Sequence, residues 1–124
     1  MRDNVDRFVF FARNTVFVGG TALYTTPVDV RRYSSGVFVG WQGTGLGLTP
    51  ASLEFTLEAS HDLENWVDGS VLSPSADAEE TASAEIEFPW IRWRAEVTGA
   101  DPAVTGWLVG DLVRREPAGP GGGA

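Results

Sequence analysis

The single imidazole of the chain, His61, stands beside Asp62 and close to Glu64, so His61-Asp62-Leu63-Glu64-Asn65 is where acid–base chemistry is first sought. The spacing argues against it. Ser60 directly precedes His61, and adjacent strand residues point to opposite faces, so the two cannot form a nucleophile and its base. A polar turn in which Asp62 accepts backbone amides explains the same residues. Carboxylates also recur at strand spacing, Glu54 with Glu58 and Glu85 with Glu87, as the acid and base of a glycosidase would. On solvated faces, which is the expectation here, they keep ordinary acidity and do no such work. Asp77, Glu79 and Glu80, or the turn from Asp62 to Asp68, offer oxygen ligands to calcium but lack the Asp-x-Asp-x-Asp-Gly pattern. Gly43-Thr44-Gly45-Leu46-Gly47 is no phosphate loop, because the chain has no lysine to close one. Absence of cysteine removes thiolate nucleophiles and disulfides, and one histidine is too few for the common zinc sites. No catalytic residue, metal or cofactor is assigned, and the chain is expected not to be an enzyme.

A different pattern points to contact with another macromolecule. Trp90, Arg92 and Arg94 share one face of a strand whose other face is apolar, and exposed Trp with guanidinium groups is enriched at protein interfaces and able to stack on sugar rings. Protein contact is the preferred reading and glycan the second. Alternatively, if this strand neighbours Ser52 to Ser60, the two arginines pair across it with Glu54 and Glu58. Near the start, Phe8-Val9-Phe10-Phe11 is apolar on both strand faces and is followed by Thr15-Val16-Phe17-Val18. Both faces need cover, either from the domain's own second sheet or from a neighbouring subunit. Phe8, Phe10, Phe11, Val16, Phe17, Trp90, Arg92, Arg94 and Trp107 are therefore the candidate interface residues. The rings of the early segment and late strands exceed what a lone small sandwich is expected to hide, so another polypeptide is expected to shield some of them.

These residues have to be positioned by a chain of 124 residues with 15 Gly, 7 Pro and 14 aromatic side chains (5 Trp, 2 Tyr, 7 Phe), which suits turns joining short strands better than packed helices. Leu53, Phe55, Leu57 and Ala59 alternate with Ser52, Glu54, Thr56, Glu58 and Ser60, and Ile91, Trp93, Ala95 and Val97 alternate with Arg92, Arg94 and Glu96; period two of this kind marks half-buried strands. Val37, Val39 and Trp41 alternate with Phe38, Gly40 and Gln42, Pro27 places the Leu23–Val30 segment at an edge or strand end, and Trp66–Leu72 is a further short strand. Ala84, Ile86 and Phe88 predict a strand meeting the next one near Pro89, whereas Ser73 to Ala84 reads as an acidic surface loop, with a helical turn or two as the alternative over Ala78–Ala84. Gly106 and Gly110 inside the closing strand Val104–Val113 predict bends or close backbone approach. The sum is an all-β, antiparallel β-sandwich or jelly roll of about eight short strands. An N-terminal strand arm over 1–20 precedes the sandwich over 21–114, and a flexible Pro/Gly-rich tail covers 115–124.

Nine basic residues, all Arg, against seventeen acidic ones give a formal charge of −8, which repels phosphate backbones and anionic lipid. Neither nucleic acid nor membrane is an expected partner. The first residues do not resemble a signal peptide or membrane span, so a soluble chain is expected.

Three segments carry a resemblance: Leu23-Tyr24-Thr25-Thr26-Pro27-Val28-Asp29-Val30 with Tyr33-Ser34-Ser35, then Leu53 to Trp66, then Trp90 to Trp107. Together they resemble small β-sandwich proteins of tailed-phage and prophage virions, and the likeness covers most of residues 21–114. It implies a structural role at a particle or capsid surface (a decoration protein, for instance), with capsid or shell subunits and further copies of itself as partners. It implies cytoplasmic residence during assembly and no catalytic residues. The Ser60–Trp66 turn, through Asp62 and Trp66, is also similar to an element of discoidin-like (F5/8 type C) jelly rolls, which implies a glycan-binding module as the alternative.

Overall fold

A computed structural model describes residues 4–43, 52–99 and 103–115. Beyond Gly43 the glycine-rich loop lies outside the described residues, as does the tail beyond Arg115. The described chain is all strand and turn. In order these are β1 (Val5–Val18), β2 (Leu23–Tyr24), β3 (Val28–Asp29), β4 (Tyr33–Gln42), β5 (Ser52–Ser60), β6 (Val67–Leu72), β7 (Ala78–Glu85), β8 (Trp90–Thr98) and β9 (Ala103–Arg114). They form two antiparallel sheets stacked as a sandwich, one ordered β1-β9-β4-β7 and the other β2-β8-β5-β6, with β3 also pairing β8.

The period-two segments set the inner faces. Leu53, Phe55 and Leu57 of β5 and Ile91, Trp93, Ala95 and Val97 of β8 meet Phe38 of β4 and Val104, Leu108 and Leu112 of β9 in one core cluster. Trp93 lies edge-on to Phe38 with centroids 5.1 Å apart. The core rings fit because the facing strands present glycines inward. A Cβ on Gly110 would come within 2.6 Å of Phe38 Cδ1, and one on Gly106 within 2.7 Å of the Trp41 carbonyl oxygen. Close approach, not a bend, is thus what these glycines serve. Gly106→Ala is expected to cost about 1–3 kcal/mol, since overpacking against backbone cannot relax by rotamer change. Gly69→Ala is the control, its nearest atom being 3.6 Å from an added Cβ, and equal melting temperatures for the two variants would contradict the assignment.

The first strand corrects the sequence reading twice. Instead of two short strands, Val5–Val18 is one edge strand along β9, with register shifts between Val9 and Phe11 and between Phe11 and Thr15. Val9 pairs with Val109 and Phe11 with Leu108, so Phe10 is an extra residue; such a bulge re-aims side chains. Phe8, Phe10 and Phe11 all reach the core through it. The second irregularity holds Asn14 at φ 67° and lets the Thr15 hydroxyl donate to the Ala12 carbonyl at 2.5 Å. Cover for these rings therefore comes from the domain's own second sheet. These inward rings do not require another polypeptide: Phe11, Phe17 and Trp93 are buried within the domain and Phe8 and Phe10 pack against the core, while Trp107 is buried on the outer face and Trp90 stays half-buried. The large hydrophobic residues that β1 leaves outside are aliphatic, namely Val9 (62% exposed), Val16 and Val18, beside the exposed Arg7 and Arg13.

Ser73–Ala84 is corrected too, since β7 pairs with Ser35–Trp41 at the edge of its sheet. Its inward residues are small (Ala82 and Ala84 pack on the core), and an edge strand needs no larger ones. After it, Ile86 and Phe88 lie in a bend where Ile86 N–H donates to Ser34 O at 2.9 Å, not in a strand.

Candidate interaction surfaces

The turn around His61 is built by its neighbours' oxygens. Asp62 Oδ1 accepts the amides of Glu64 and Asn65 at 2.9 and 2.8 Å, its Oδ2 accepts Asn65 Nδ2 at 2.9 Å, and Ser60 Oγ accepts the amides of Asp62 and Leu63. These donors, the Asn65 amide foremost, hold the Asp62 carboxyl well below the usual range. His61 is exposed, its ring 4.4 Å from that of Phe88, so the imidazole rests on an apolar ring. At the same end of this sheet, on the other side of Trp90, Arg31 holds Asp29 down at about 2. Carboxyls lowered in the folded state contribute stability that is complete above their unfolded value and is lost as pH falls through the folded one. Wild-type melting temperature is therefore expected to drop as pH falls from about 4 toward 2, and Asp62→Asn to flatten that drop. Parallel curves for the two proteins would refute this.

On the outer face of β2-β8-β5-β6 the polar side chains are mutually occupied. Glu58, its side chain only 4% exposed, accepts Arg92 Nε at 2.6 Å on Oε1 and Arg94 on Oε2. Arg94 also reaches Glu96 at 3.1 Å and Asp68 at 3.4 Å. The Arg92 guanidinium is sandwiched between Trp66 and Tyr24, 4.1 and 4.4 Å from their ring centroids. Trp90 is half-buried, with Arg31 5.9 Å from its centroid. The expectation of a solvated carboxylate face is corrected at Glu58: cross-strand pairing sets Glu58 opposite Arg92, and the arginines roof it. Glu54 sits across from Glu96 and accepts the Ser73 hydroxyl at 3.5 Å, so the arginines do not divide between Glu54 and Glu58.

The outer face of β1-β9-β4-β7 is of opposite character. Val9, Val109, Val39 and Thr81 form one row across the four strands, and Arg7, Asp111, Val37 and Ser83 another. Trp107 and Trp41 pair in a third row that ends at Glu79, their rings stacked at 6.5 Å and 9°. Arg13 lies over Trp107 at 4.6 Å, which leaves that indole only 7% exposed. Val9, Arg13, Val39, Glu79, Trp107 and Val109 border a shallow hollow of about 520 Å³.

The structure thus separates the nine candidate residues. Phe8, Phe10, Phe11 and Phe17 face inward, Trp90, Arg92 and Arg94 belong to the five-stranded sheet, and Val16 and Trp107 to the outer face of the four-stranded one. Val9, Arg13, Val37, Val39, Glu79 and Val109 were not among the candidates. Alternation of Val37, Val39 and Trp41 was visible in the sequence, but which face turns outward depends on the partner strands.

No protein-family model and no curated protein matches the sequence. Among solved structures, the PBSX exported protein XepA is similar at TM-score 0.70 and 12% identity, over 93% of this chain and 39% of that one. A protein of Bacillus endospore appendages, described as a family of disulfide-linked pili, is similar at TM-score 0.55 and 7% identity, over 89% of this chain and 86% of that one. A chain of the T13 IBDV viral particle is similar at TM-score 0.53 and 9% identity, over 91% and 32%. This chain therefore spans well under half the length of XepA and of the viral chain. The two-sheet β-sandwich described above is the fold it shares with XepA, the endospore-appendage protein and the virus-particle chain.

Proposed function

We propose that the chain is a non-enzymatic structural protein of a phage-like particle, which binds a capsid or shell surface or associates with its own copies in a decorating or stabilising role. The observation that carries this reading is the valine and tryptophan rows on the outer face of β1-β9-β4-β7, a contiguous apolar face of the kind used for protein contact. The fold it shares with the PBSX exported protein XepA and with a chain of a viral particle supports it. An acidic chain of charge −8 also resists non-specific adhesion between particles.

Co-sedimentation with purified particles encoded by the same genome tests this. Wild type is expected to pellet at a fixed ratio to the shell subunit, or to self-associate, and Val109→Asp to lose both. A wild-type chain that stays in the supernatant as a monomer rejects the proposal. Binding on a glycan array that is lost in folded Trp90→Ala would replace it with the carbohydrate-module reading.

A further inference from the structure

We propose that the outer face of β1-β9-β4-β7 is covered by a second copy of this chain, stacked about a two-fold axis that runs along the strands between β9 and β4. This rests on the self-association arm of the reading above and deepens it by naming the occupant of the face and its geometry. The two outer faces of the sandwich differ in a way that singles this one out. Both sheets leave aliphatic side chains in water, Val67 and Val71 on β6 of one and Val9 and Val37 on the other. The central strands of the five-stranded face, however, carry the Glu58–Arg92–Arg94 cluster with Trp66 and Tyr24 against Arg92, whereas those of the four-stranded face carry the Val109–Val39 and Trp107–Trp41 pairs.

Charge on the face identifies the occupant. Arg7 and Arg13 lie on β1 at one edge, Glu79 and Glu85 on β7 at the other, and Asp111 is held by Arg7 at 2.8 Å. Among the described residues Arg13 meets an indole but no carboxylate, and Glu79 meets no cation. A two-fold axis along the strands reverses strand order and preserves position along them, so β1 lies over β7 of the second copy and β9 over its β4. The rows already in register then set Val109 against Val39, Trp107 against Trp41 and Arg13 against Glu79 of the second copy. Each contact occurs twice, as an isologous interface requires. An axis across the strands would instead set β1 on β1, arginine facing arginine. The face also bears two arginines against three carboxylates, so most of the chain's charge of −8 lies away from it.

Size is sufficient. Four strands about 4.8 Å apart, over the rows from Thr105 to Val113 at about 3.4 Å per residue, present roughly 600 Å² in projection. Two such faces bury roughly 1,200 Å², above the roughly 1,000 Å² a specific interface needs. Aligned sheets stacked about 10 Å apart are a standard packing.

Sedimentation velocity from about 1 μM to about 1 mM covers the relevant range of dissociation constants. Wild type is expected to dimerise in it, and Arg13→Glu or Glu79→Arg alone to weaken the dimer about tenfold or more. The double variant Arg13→Glu/Glu79→Arg is expected to recover wild-type association, which misfolding of either single variant could not produce. A wild type that stays monomeric throughout, or a dimer that the double variant does not restore, overturns the proposal. Shell binding is read separately by co-sedimentation, so a chain that pellets with the shell but never dimerises rejects this pairing and leaves the shell reading standing.

Discussion

Trp93→Ala is expected to lower the free energy of unfolding by about 3–5 kcal/mol, the range for removing a large buried ring whose site cannot collapse. Trp93 is fully buried on β8 and is bracketed by Phe38 at 5.1 Å and Phe10 at 6.3 Å. Both sheets converge on it, because Phe38 comes from the middle of the opposite sheet and Phe10 from the bulge of its edge strand. Native domains are stable by only about 5–15 kcal/mol, so this loss is a large share of the whole. A second substitution separates volume from polarity. Among the described residues the Trp93 indole N–H is buried without an acceptor, and an unpaired buried donor costs about 1–3 kcal/mol. Trp93→Phe loses volume but sheds that donor, and is expected to cost under about 1.5 kcal/mol. Urea unfolding followed by circular dichroism reads both, and coincident transitions for the two variants would refute the account.

Glu58→Ala is expected to be nearly as damaging, at about 3–5 kcal/mol, because removing the buried carboxylate strands the half-covered Arg92, although Arg94 keeps Glu96 and Asp68. Arg92 and Arg94 keep side-chain exposures of only 23% and 21%, and both direct nitrogens at this one carboxylate. The loss measures the stranded Arg92 guanidinium more than the worth of the bonds themselves. Asp111→Ala supplies the contrast. Its pair with Arg7 is exposed at 38% and 63%, and surface pairs of this kind contribute about 0–1 kcal/mol. Equal effects of the two substitutions in chemical denaturation would contradict the burial assigned to Glu58.

Where one residue and its immediate neighbours settle the outcome, the sequence was sufficient. The alternation from Leu53 to Ala59 and from Ile91 to Val97 dictated the inward faces of β5 and β8, since a pleated strand has only two sides. Asp62 formed its turn with amides two and three residues on, a contact within its own loop. Pro27 fell between β2 and β3 at the edge beside β8, where a missing amide costs no ladder bond. Gly106 and Gly110 announced either bends or close approach, and the rings packed against them decided for the second.

Tertiary structure decided whatever depended on strands distant in the chain. Ala78–Glu85 became a strand because β4 offered a free edge, not because its small residues favoured one. Glu58 became buried because β8 laid two arginines over it, and the rings of β1 turned inward because a bulge against β9 admitted an extra residue. Likewise the outward row Val9-Val109-Val39 joins residues up to a hundred positions apart. Alternation along one strand says that two faces exist; only the neighbouring strands and the opposing sheet determine which face stays in contact with water.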